Sequence, residues 1–126
     1  MKTTELRIGN YLIADIGNVK VESVLGSTYR LYCHSIDEDY LADYKISDLK
    51  PIPLTEDILL KCGFVKQDNE LIMKVNTYGC LVYWHKEMFL MMGQFADCTD
   101  TIDCKYLHTL QNIYFALCGE ELNINL

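Results

Sequence analysis

Between residues 6 and 53, apolar and polar positions alternate in short bursts, broken by glycine-containing turns and one acidic stretch. Period-two alternation puts successive side chains on opposite faces of a strand, so the pattern predicts several short antiparallel strands. Leu6–Ile13 reads as the first, with Gly9 where a bulge or bend belongs. Gly17-Asn18 supplies a tight hairpin turn. In the next strand Val19, Val21 and Ser23 face one way, and Lys20, Glu22 and Val24 the other. Tyr29–Cys33 follows a turn at Leu25–Thr28. The acidic run Ile36–Ala42 reads as an exposed loop or edge, and Tyr44–Leu49 as a returning strand. Pro51-Ile52-Pro53 closes the region, because proline donates no ladder bond and holds its predecessor extended.

From residue 54 the period changes. Thr55 is suited to cap a short helix, with Glu56 and Asp57 at its positive end, Leu54 and Leu59 at staple spacing, and Gly63 to stop it. Alternation returns over Glu70–Val75, Cys80–Trp84 and Met88–Met92, with a hairpin turn at His85–Glu87 and a short strand near Ile102. Over Lys105–Cys118 the spacing becomes helical. Tyr106, Leu107, Leu110, Ile113, Tyr114, Leu117 and Cys118 fall on one arc, while His108, Thr109, Gln111, Asn112, Phe115 and Ala116 fall on the other. The pattern predicts an α+β fold: an N-terminal SH3-like small β-barrel or curled sheet (residues 1–53), then a short helix and an antiparallel β-meander with a C-terminal amphipathic helix packed on it (residues 54–126). The two parts form either separate units or one core.

Composition narrows the function classes. Half of the residues are hydrophobic and 23% charged, a balance that builds a core and argues against disorder. Net charge is −7, with 6 basic and 8 acidic side chains over residues 1–53 and 5 basic and 10 acidic over residues 54–126. Nucleic-acid affinity draws on clustered Lys and Arg, and the chain has two arginines, Arg7 and Arg30. Nucleic acid and anionic membranes are therefore disfavoured partners. Met1–Arg7 lacks the apolar segment of an export signal, and the apolar run Met88–Met92 is too short to span a bilayer. A cytoplasmic location follows as an expectation, with the six cysteines as reduced thiols.

Leu6-Arg7-Ile8-Gly9-Asn10-Tyr11, Pro51-Ile52-Pro53-Leu54-Thr55 and the block from His108 through Leu110-Gln111-Asn112 to Gly119-Glu120-Glu121-Leu122 together resemble an uncharacterised small protein family of Bacteroidetes-type bacteria and their phages. The resemblance touches both ends of the chain and the junction. It implies a bacterial cytoplasmic, prophage or phage-encoded product, and it assigns no catalytic residues.

Reactive groups were weighed against a purely structural role. Cys104 and His108 are one helical turn apart, and Cys98 could join them at a metal, but no Cys-x-x-Cys pair accompanies them. Asp97, Asp100 and Asp103 lack the spacing of a calcium loop and read as turn residues, with Asp103 as a helix cap. Cys33 and His34 point to opposite faces of a strand and form no dyad. No phosphate-loop, dinucleotide or nucleophile-elbow motif occurs, so no catalytic residue and no cofactor is expected. Phe115, sharing an arc with His108, Gln111 and Asn112, needs a cover: either the other part of the chain packs on it, making the helix a layer between barrel and meander, or these four residues mark a candidate interaction surface for a protein partner, a ligand or a second copy. The leading expectation is a non-enzymatic accessory or adaptor protein acting by protein–protein contact. One alternative is a nucleic-acid-associated regulator using the barrel, with a basic groove around Lys20, Arg30 and Lys45. The other is a metal protein or enzyme around Cys98, Cys104 and His108.

Overall fold

A computed structural model describes residues 1–25, 30–36, 41–75, 79–92 and 99–126. The fold is α+β, and contacts divide it into two compact units. One comprises Met1–Pro53 with Tyr106–Asn112, the other Leu54–Lys105 with Ile113–Leu126.

The first unit is built on an antiparallel sheet of β1 (Tyr11–Ala14), β2 (Gly17–Leu25), β3 (Arg30–Ser35), β4 (Leu41–Lys45) and β5 (Lys50–Pro51). Their order is β4-β3-β2-β1-β5, so the chain returns its last strand beside its first. Among the described residues no ladder joins β4 to β5, and the sheet is open rather than a closed barrel. Leu12, Val19, Val21, Leu31 and Cys33 are wholly buried on its inner face, with Leu6, Ala14 and Leu49 beside them. Each such aliphatic side chain contributes about 1.5–3 kcal/mol of transfer free energy.

Four local expectations change. Leu6–Ile13 is not one strand, since β1 begins only at Tyr11 and Arg7–Asn10 is a turn closed by the Asn10 amide on the Arg7 carbonyl, 3.1 Å. The first hairpin turns at Asp15-Ile16, with Ala14 opposite Gly17, and Gly17 at φ +114° rejoins the ladder where a side chain would be strained. In β2 a bulge between Val21 and Ser23 inverts the alternation, so Val24 opposes Leu31 and packs on the core in place of Ser23. Tyr44–Leu49 also divides: β4 ends at Lys45, and Ile46–Asp48 forms a single 3-10 turn before β5. Gly26–Tyr29 and Asp37–Tyr40 lie outside the described residues.

In the second unit α1 (Glu56–Lys61) begins as its sequence dictates. Thr55 Oγ1 accepts the Ile58 amide at 3.3 Å. It ends at Gly63, φ +100°, with the Gly63 amide donating to the Leu60 carbonyl and the Phe64 amide to the Leu59 carbonyl, a Schellman cap. A sequential antiparallel sheet follows, of β6 (Val65–Gln67), β7 (Glu70–Lys74), β8 (Gly79–Trp84), β9 (Glu87–Met92) and β10 (Thr99–Ile102). His85 and Lys86, at φ +50° and +63°, make the two-residue turn whose twist matches the β8–β9 hairpin. Leu71, Val75, Leu81 and Met88 are buried on one face.

Helix α2 spans Leu107–Cys118, and the Gly119 amide caps it on the Phe115 carbonyl at 2.8 Å. Tyr106 precedes the helix and is exposed, so it does not join the core arc. In the first two turns burial extends around the helix, to His108 and Gln111 as well as Leu107 and Leu110.

Candidate functional site

The polar arc of α2 is where the sequence places an interaction surface, and its members part company in the structure. Gln111 is 1% exposed and His108 2%, so neither forms a surface; Phe115 remains 39% exposed. The reversal has a physical cause. Polar side chains tolerate burial when each hydrogen-bonding atom finds a partner, and Gln111 finds them in the Arg7–Tyr11 segment.

The geometry of that lock is specific. Gln111 Oε1 accepts the Tyr11 amide at 2.9 Å, and Gln111 Nε2 donates to the Gly9 carbonyl at 2.9 Å. Asn10, itself wholly buried, accepts the Arg7 amide on Oδ1 at 2.7 Å and donates from Nδ2 to Asn112 Oδ1 at 2.9 Å. Asn112 Oδ1 also receives Arg7 Nε at 3.2 Å, and Asn112 Nδ2 donates to the Glu5 carbonyl at 2.8 Å. The Arg7 guanidinium adds a bond to the Gln111 carbonyl at 3.3 Å. Gly9, φ +96°, lets the turn adopt its shape, and its amide donates to the Val21 carbonyl at 2.8 Å. The network joins Glu5–Tyr11 to Gln111 and Asn112, about a hundred positions further along the chain.

His108 differs. Among the described residues its buried Nδ1 has no hydrogen-bond partner, and its ring stacks on Tyr106 at 5.9 Å between centroids. Burial lowers its pKa, against the opposing pull of the Glu5 carboxylate. Burial raises the thiols instead, Cys33 to about 11 with Asp43 and Glu22 adding to the effect, and Cys62 and Cys104 to about 12. Protonated, buried thiols are poor nucleophiles.

The remaining candidates are scattered. Cys98 and Asp97 lie outside the described residues. Among the described residues no three His, Cys, Asp or Glu side chains gather closely enough to hold a metal ion. Lys20 stands opposite Tyr11 and His34, its ammonium 6.0 Å from the Tyr11 ring centre, whereas Arg30 pairs with Lys45 at the far end of β3. Asp43, opposite Tyr32, occupies a backbone row between those of Lys20 and Lys45. No helix among the described residues is long and apolar enough to cross a membrane.

A different surface emerges on the second sheet, on the face opposite its buried leucines. Register aligns Val65, Ile72, Val82, Phe89 and Thr101 in one row across all five strands. The next row holds Gln67, Glu70, Trp84 and Glu87, since Leu71 pairs with Tyr83 and Trp84 with Glu87. Val65 is 59% exposed and Trp84 43%. On this face Glu70, Val82, Trp84, Phe89 and Met91 line a depression of about 270 Å3. Sequence reasoning passes over this face because each strand alone alternates normally; only the register gathers its outward residues. No protein-family model, curated protein or solved structure matches the chain.

Proposed function

We propose that this protein is a non-enzymatic accessory or adaptor that works by protein–protein contact, using the outward face of the second sheet. The observation that carries this reading is the division of labour among side chains. The polar groups of α2 that resemble a binding surface are consumed by the Arg7–Tyr11 turn, while on the second sheet Val65 and Trp84 stand exposed and Trp84 lines a depression. Aromatic residues grouped on one exposed face are the usual core of a contact surface.

The first unit supports the SH3-like reading as a scaffold. What supports it is the run of short antiparallel strands that brings β5 back beside β1. The resemblance adds a bacterial cytoplasmic, prophage or phage setting. The test is the variant Val65→Ser with Trp84→Ser. The melting temperature is expected to stay within a few degrees, while association with a native-host partner, or self-association in sedimentation, is lost. A large loss of stability with unchanged association would assign the face to the core instead.

A further inference from the structure

Resting on that contact reading, we infer that the depression on the second sheet receives an arginine side chain from the partner protein. The chemistry of its lining selects this occupant. Its lining combines two aromatic rings, Trp84 and Phe89, two apolar side chains, Val82 and Met91, and one carboxylate, Glu70. On the adjoining strand Glu87 stands directly opposite Trp84, so the indole lies in a row between two carboxylates. A cation over an aromatic face beside a carboxylate gains from both at once. A neutral apolar side chain would leave the carboxylates beside it without a counter-charge, and an anionic one would be repelled by Glu70, Glu87 and the chain's net charge of −7. The nearest bases on the hairpin turn are His85, whose ring meets Trp84 edge-on at 4.2 Å, and Lys86.

Size and shape favour arginine among cations. A volume of about 270 Å3 falls just below the ~300–1,000 Å3 of sites for whole small molecules, which suits a single inserted side chain. The guanidinium is flat, weakly hydrated and able to stack on an indole while donating two parallel bonds to a carboxylate; the lysine ammonium is a strongly hydrated point charge. Trp and Arg are both enriched among the residues that carry most of the binding energy at protein interfaces.

Trp84 is the chain's only tryptophan, so its indole N–H resonance and its fluorescence report this face without interference. The experiment selects binders from a displayed library of random linear peptides against the full-length protein. Synthetic copies of the binders are then titrated while Trp84 is observed, each beside versions with citrulline or lysine in place of arginine. The expected result is arginine-containing peptides that shift Trp84. Affinity falls about tenfold (~1.4 kcal/mol) on replacement by citrulline or in the Glu70→Gln variant, and several-fold with lysine. Peptides that shift Trp84 but lack arginine, or that bind equally well with citrulline, overturn the arginine assignment and leave the contact reading standing. So does a Trp84 shift driven by protein concentration alone, which makes the occupant a second copy. If no selected peptide moves Trp84, both the assignment and the contact reading fall.

Discussion

Replacing Gln111 by leucine tests the lock between α2 and the Arg7–Tyr11 turn. The two side chains are similar in size, so the change leaves little cavity and isolates the hydrogen bonds. It removes the acceptor of the Tyr11 amide and the donor to the Gly9 carbonyl, both at 2.9 Å, and a longer bond from Asn10 Nδ2 at 3.5 Å. An unpaired buried polar group costs about 1–3 kcal/mol, and the two backbone groups here are only partly buried, so the loss sums to about 2–4 kcal/mol. Against a total stability of ~5–15 kcal/mol that is a large fraction. For a chain of this size it corresponds to a fall in melting temperature of roughly 8–16 °C. Circular dichroism gives the melting temperature, and amide exchange followed by NMR gives the site: the Tyr11 amide should change from slow to fast exchange. Gln111→Glu, which keeps an acceptor for Tyr11 but turns an oxygen on the Gly9 carbonyl, should also destabilise the fold while leaving Tyr11 protected. A melting temperature within about 3 °C of the parent, with Tyr11 still protected in Gln111→Leu, would refute the reasoning.

Three further outcomes are expected. Gly9→Ala forces a side chain into φ +96° and should cost about 1–2 kcal/mol in urea unfolding, more than alanine at the exposed Ile8 beside it. Cys33, Cys62 and Cys104, with thiols pushed up to between about 11 and 12, should escape iodoacetamide in the native protein and react fully in concentrated guanidinium, as read by peptide mass mapping. Because burial lowers the folded-state pKa of His108 below 6.5, the unfolded chain binds the proton first; stability should be complete above that value and fall as pH drops from 6.5 through the lower folded value. A His108→Leu variant should lose less over the same interval, and parallel pH–melting curves for the two proteins would contradict the assignment.

Local rules found the elements whose determinants are local. Thr55, Gly63 and Gly119 act within one turn of the positions they cap, so the three helix ends they define were legible in the residues themselves. The β8–β9 hairpin was legible for the same reason. The α+β class followed from the change of period along the chain. What stayed hidden depends on residues far apart. Nothing near Asn10 announces that its amide meets Asn112, and nothing near Gln111 announces that it completes a turn about a hundred residues earlier. A helical wheel assigns Gln, Asn and His outward by polarity alone, and it fails wherever a partner compensates for their burial. The bulge after Val21 is a second failure of the same kind, since one extra residue reverses every later assignment of face in that strand. The outward face of the second sheet needed the register of five strands before Trp84, Glu70 and Glu87 could be seen as neighbours.

The division of the chain has a consequence for biosynthesis. Residues 106–112 complete the unit begun by residues 1–53, and the 52 residues of Leu54–Lys105 are translated in between. At ~5–20 residues per second the ribosome takes about 3–10 s to cross that interval. For that time the nascent Arg7–Tyr11 turn waits for Gln111 and Asn112, with the Tyr11 amide and the Asn10 side chain lacking the partners they have in the finished molecule. Translation arrested within the interval would therefore leave an N-terminal sheet open to proteolysis, and its protection would arrive abruptly once α2 clears the exit tunnel.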